Sequence, residues 1–139
     1  MSDEVSGLLP LSFYIDQSGN LTTATPVDLP MAGATYHKKI KMPQAGCIRA
    51  ISARIETTPN TANPDLVAAF TIGGVEQAGC EVSIPIGDTE GVETFANGEW
   101  PFEADDEIGV SIEMTGGTID DAVDEVHVLL LAQLGLSNI

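Results

Sequence analysis

The sequence predicts an all-β protein: a jelly-roll-like antiparallel β-sandwich of about eight strands with an extended N-terminal arm. Three observations lead there. Apolar residues recur at every second position in several short runs, the period of a strand with one buried face. Turn-forming residues interrupt those runs roughly every ten residues, as in sandwiches and barrels. No stretch has the periodicity of an amphipathic helix three turns long, whereas Thr, Val and Ile are plentiful.

Residues 1–10 lack periodicity and end at Pro10. A short apolar run follows at 11–15, and Gly19-Asn20 then suits a tight connection. Residues 21–35 contain Thr22, Thr23, Thr25, Pro26, Pro30 and Gly33, which reads as extended chain with edge pairing at best. Residues 1–35 are therefore expected as an arm and 36–139 as the sandwich domain. An arm of that length with little core-forming content is expected to wrap a neighbour or to hang free.

Within the sandwich, 36–41 is a candidate strand stopped by Pro43 and Gly46. In 47–56, Cys47, Ile51, Ala53 and Ile55 are expected on one face, opposite Ile48, Ala50, Ser52 and Arg54. A loop rich in turn formers, with Pro59 and Pro64, leads to Leu66, Ala68, Phe70 and Ile72, which alternate with Val67, Ala69 and Thr71. Gly73-Gly74 is a two-residue hairpin turn into a strand at 75–77, and a further strand at 81–86 ends at Pro85 and Gly87-Asp88. Residues 92–102 place Phe95, Trp100 and Phe102 around Asn97-Gly98, a second hairpin-type dipeptide.

The stretch 103–134 organises the rest. Ile108, Val110, Ile112 and Met114 alternate with Gly109, Ser111 and Glu113. Val126, Val128, Leu130, Ala132 and Leu134 then hold one face, and His127, Leu129, Leu131 and Gln133 the other. A strand apolar on both faces must be covered twice, once by a core and once by something else. The acidic turn between the runs, with Asp120, Asp121 and Asp124, marks a surface connection. The two runs read as the closing pair of the sandwich.

A chain of 139 residues is long enough for one domain with a single core. Four Phe, two Tyr and one Trp leave that core to Val, Ile, Leu and Ala. The charge is lopsided: 21 acids against five bases, a formal −16, with every base (Lys38, Lys39, Lys41, Arg49, Arg54) between 38 and 54. Such a surface repels phosphate, so nucleic acid and anionic membrane are not expected partners. The acidity serves solubility, or docking against a basic or calcium-bearing partner. The five bases form a pole that either meets an acidic neighbour, another copy included, or pairs with local acids. Residues 1–7 have no basic signal-peptide region and no apolar run reaches spanning length, which points to synthesis in a cytoplasm. Cys47 and Cys80 lack metal-site spacing and are expected in the core as free thiols.

Catalytic chemistry is hard to assemble from these residues. His37 and His127 have no nucleophile motif beside them, so a packed or solvent-facing imidazole is expected for each and no enzyme or cofactor is inferred. Paired carboxylates exist, but Trp100 and its neighbouring phenylalanines are the sole sugar platform, and a Trp before Pro101 commonly plugs a sandwich end. Asp105, Asp106, Asp120, Asp121 and Asp124 are weak calcium candidates, since neither acidic cluster has EF-hand spacing.

From Ala45 to Leu134 the chain resembles the β-sandwich modules of tailed-phage virion proteins: capsid decoration (cement) proteins, head fibres and tail-fibre tips. Pro43-Gln-Ala-Gly-Cys-Ile48, followed by Arg49, Ala50, Ile51, Ser52, Ala53, Arg54 and Ile55, matches the way such modules open. Phe102-Glu-Ala-Asp-Asp-Glu-Ile-Gly-Val-Ser-Ile112 matches their closing pattern, with Ala104-Asp105 where Gly-Asp is usual. The resemblance implies a homotrimer without enzymatic activity, made in the host cytoplasm and carried on the capsid surface. The major capsid protein or another virion protein is the implied partner. The resemblance also implies an N-terminal arm that contacts the shell or a sister subunit. On that reading the arm (Leu8, Leu9, Leu11, Phe13, Tyr14) and the basic patch (Lys38, Lys39, Lys41, Arg49, Arg54) are the expected partner contacts, and trimeric association is expected to bury Leu129 and Leu131. A receptor- or glycan-binding fibre tip built around Trp100 and Phe102 is the alternative.

Overall fold

The computed structural model describes residues 7–15, 27–29, 31, 38–55, 65–85, 88–115 and 126–135. Among them are ten strands and no helix, and every ladder is antiparallel. In the first sheet β1 (Gly7–Ile15), β10 (Val126–Leu134), β4 (Gly46–Ile55) and β7 (Glu90–Thr94) lie side by side in that order. β8 (Pro101–Phe102) carries on along the same edge of β4 beyond the end of β7. The second sheet runs β2 (Val27–Asp28), β9 (Glu107–Thr115), β5 (Asp65–Ile72) and β6 (Val75–Ile84), with β3 (Lys39–Lys41) sharing the edge of β9 with β2. Thus β1 pairs β10, β2 and β3 pair β9, β4 pairs β7 and β8, and β5 pairs β6. The first half of the chain is nested against the second in reverse order, which is jelly-roll connectivity.

The core lies between the sheets and is mostly aliphatic. Ile48, Ile51, Leu130 and Val128 from the first sheet meet Leu66, Ile84, Ile108 and Ile112 from the second, and Phe13, Phe70 and Phe102 fill the wider spaces. The alternation in β9 and β10 puts Ile108, Val110 and Ile112 inside, opposite Val126, Val128, Leu130 and Ala132. These strands do not pair with each other, as a closing hairpin would. Each is flanked by neighbours on both edges within its own sheet, so together they form the two inner walls of the core.

The first residues depart most from expectation. β1 is no free arm: it pairs with β10 from Gly7 to Ile15, and Leu11 and Phe13 are 5% and 0% exposed. Pro10 is compatible with this because β1 is a sheet edge, where a missing N–H on the open side breaks no ladder bond. Leu29 is fully buried with its N–H bonded to the Val110 carbonyl, and Met31 bridges to Phe13. The described parts of 1–35 therefore belong to the sandwich, while the expected turn at Gly19-Asn20 lies outside the described residues.

Three further differences have local causes. In β4, Ile48 faces Ala132 while Ala50 faces Leu131, leaving Arg49 as the extra residue of a β-bulge. The bulge puts Ile48 in the core with Ile51, and turns Cys47 to the outer face. The strands expected at 75–77 and 81–86 are one strand, kinked at Gly79, whose φ of 98° suits glycine. Residues 92–102 form no hairpin: β7 and β8 both pair with β4, and Asn97-Gly98 tips the loop between them. Gly73 and Gly74 do make the predicted turn, both with positive φ. At Ala104-Asp105 the left-handed residue is Asp105 (φ 72°), a type that tolerates it, and its N–H bonds the Met42 carbonyl at 2.7 Å.

Candidate functional site

The outer face of the first sheet is the strongest candidate for contact with another molecule. Strand alternation brings Leu8, Pro10, Ser12 and Tyr14 of β1 beside Gln133, Leu131, Leu129 and His127 of β10. Ala50, Ser52 and Arg54 of β4 come next, followed by Thr94, Val92 and Glu90 of β7. Leu129 and Leu131 are half-buried, whereas Leu8 and Val92 are 61% and 63% exposed. The result is an apolar stripe across four strands, with Tyr14 and His127 packed edge to face at 6.1 Å at one end. A depression of about 230 Å³ opens there, lined by Ser52, Arg54, Glu90, Val92, His127 and Leu129. Arg54 and Glu90 stand 3.9 Å apart at its rim and are both largely exposed, so water screens their attraction.

The other end of this face is closed by the chain itself. The loop between β7 and β8 lies over Cys47: its thiol contacts the Asn97 side-chain oxygen at 3.4 Å, and the Gly98 N–H points at the sulfur at 3.4 Å. Arg49, in the bulge, bonds the Phe95 carbonyl at 3.2 Å and the Gln133 side chain. Trp100 packs edge to face on Phe95, rests on the core and lies against Gly79 of β6, the edge strand of the second sheet. Cys80 is in the core, where burial, then Glu99 and Glu81, push its thiol up to about 12. Both cysteines are free.

The outer face of the second sheet is different in charge. Asp28, Glu113, Glu81 and Glu76 share it, and burial followed by repulsion from Glu113, Glu81 and Asp28 raises the carboxyl pKa of Glu76 above its ordinary value. Between these acids the Thr71 and Ser111 hydroxyls are buried without a hydrogen-bond partner among the described residues, and the Lys39 stem lies over Gly109 beside Thr71. No group of three or more acidic, His or Cys residues is placed to hold a metal among the described residues. Asp105 is exposed and the Asp106 carboxylate instead accepts the Glu103 N–H at 2.8 Å, while Asp120, Asp121 and Asp124 lie outside the described residues, as does His37.

The expected contact residues are thus redistributed. Leu11 and Phe13 are core residues and unavailable to a partner, and Leu9 packs against the core; Leu8 and Tyr14 remain on the outer face. The basic residues do not form one patch: Lys38, Lys39 and Lys41 belong to the second sheet and its approach, Arg49 and Arg54 to the first. Val92, Val75 and Glu76 were not expected as surface features. Alternation marked only 92–102 as a unit, and which edge that unit would join is not encoded locally.

No family model and no curated protein matches the chain. No helix among the described residues is long and apolar enough to cross a membrane. Solved structures do match. A chain of the cyanophage Pam1 capsid asymmetric unit is similar over 94% of this chain and 86% of its own, at 14% identity and a TM-score of 0.54. A chain of the acidic stable capsid structure of Helicobacter pylori bacteriophage KHP30 is similar over 96% of this chain and 94% of its own, at 8% identity and a TM-score of 0.53. At those identities the likeness is one of fold, and it extends over nearly the whole chain in both cases.

Proposed function

We propose that the chain is a bacteriophage virion structural protein: a decoration, or cement, protein that binds the assembled shell as a homo-oligomer, a trimer, and stabilises it. Burying surface across subunit boundaries would do so by mass action, because bound protein favours the intact shell over its separated parts. The observation that carries the reading is the apolar stripe through Leu8, Leu129, Leu131 and Val92, on a fold shared along nearly its full length with chains of two phage capsid structures. The partners are further copies and the major capsid protein, and the place is the capsid surface. The role is non-catalytic and needs no cofactor. The fibre-tip alternative is weakened by Trp100, whose ring packs on Phe95, Gly79 and the core, and by the burial of Phe102. The test is pelleting of purified protein with expanded and unexpanded empty shells. Retention on expanded shells supports the reading, and absence from every shell pellet overturns it.

A further inference from the structure

Two features at opposite ends of the sandwich complement each other. At one end the turn between β5 and β6 presents Val75, 65% exposed, directly before Glu76. The Gly73 N–H bonds the Glu107 carbonyl, which fixes this tip at the end of the second sheet where β9 begins. At the other end, where Gly91 sits against the Ser83 carbonyl, is the depression on the first sheet. Leu129 and Val92 line it, and its rim carries Arg54 and Glu90, with His127 beside them. A volume of about 230 Å³ equals roughly eight liquid waters, room for a small apolar side chain and a carboxylate.

We propose that a second copy of this chain brings its β5–β6 tip to this depression, with Glu76 against Arg54 and His127. The inference rests on the homo-oligomer reading above and says which surfaces make the contact. Complementarity on the page selects the occupant. At home, Glu76 faces the like charges of Glu113, Glu81 and Asp28, with the Lys39 ammonium beside Gly74 at the same tip, and an arginine from outside adds a second cation. Among the described residues, Arg54 has the long, exposed contact with Glu90 to give up. Because tip and depression lie at opposite ends, one copy cannot satisfy both within itself. The contact is head-to-tail, and repeated by rotation it closes a ring.

The experiment is sedimentation equilibrium at micromolar concentration on the full chain, the single variants Arg54→Glu and Glu76→Arg, and the double variant. Each single reversal is expected to weaken self-association roughly tenfold or more, and the double variant to restore it, because the pair is then re-formed with its signs exchanged. Unfolding midpoints show that each variant is folded. If a reversal prevents folding, Arg54→Gln and Glu76→Gln, expected to weaken association in the same direction, take its place. A monomeric wild type, association indifferent to both single changes, or a double variant that stays dissociated would each overturn the inference. That last result is the one expected if like faces pair with like. Shell pelleting is read separately, so a monomer that still binds shells would leave the shell-binding part of the proposed function standing and remove its homo-oligomer part.

Discussion

At the scale of single residues, four positions carry tests. Gly46 lies where β8 pairs with β4: a Cβ there would meet the Gln133 carbonyl and lie 2.6 Å from the Phe102 ring. Gly46→Ala is therefore expected to cost about 1–3 kcal/mol or more, read by denaturant unfolding, since backbone on a neighbouring strand must shift. Glu76 supplies a pH signature. Its folded pKa lies above the ordinary carboxylate value, so the stability that its protonated form contributes is present below that ordinary value and is lost as pH rises through the folded one. Glu76→Gln is thus expected to raise the unfolding midpoint at neutral pH and to change it little at about pH 3, where both forms are neutral. If the gain persisted in acid, the like-charge explanation would be wrong. Cys80, with a thiol pushed up to about 12, and Cys47, sealed beneath Asn97, are both expected to resist a thiol reagent until the protein is denatured.

At the scale of elements, β1 decides whether the N-terminal segment is an arm or a wall. Phe13 is fully buried against the core, so Phe13→Ala is expected to destabilise by about 3–5 kcal/mol, measured as a lowered denaturant midpoint. An unchanged midpoint would return β1 to the role of a free arm. Its strand character was hard to read because Gly7 and Pro10 dilute the alternation, and because an edge strand tolerates proline where an inner strand does not. Where alternation was uninterrupted, as in β5, β9 and β10, face and core assignments were legible. The shifted face of Cys47 was not, since a single extra residue at Arg49 inverts the pattern and nothing in the local sequence marks it. The partner of 92–102 was likewise hidden: a dipeptide can specify a turn, but the edge that the flanking strands join is settled by distant residues.

At the scale of the molecule, the sandwich buries one apolar layer between its sheets and leaves a second, thinner one outside. The half-buried Leu129 and Leu131 behave as the two-sided apolar pattern of β10 predicts, with the inner face covered by the second sheet and the outer covered by no described residue layer of comparable size. The candidate site was therefore legible as a strand needing another cover, but its breadth was not. That depended on Leu8 and Val92 arriving on either side from strands far apart in sequence. The basic residues that looked like one patch are divided between two sheets by the short crossing after β3, so charge alone does not define the contact. The most direct test of the proposed role is the amount of protein pelleting with expanded empty shells, compared between the wild type and a Leu129→Glu, Leu131→Glu variant whose folding is verified. The account predicts saturable retention of the wild type and loss of it in the variant; equal retention of both, or none of either, would contradict it.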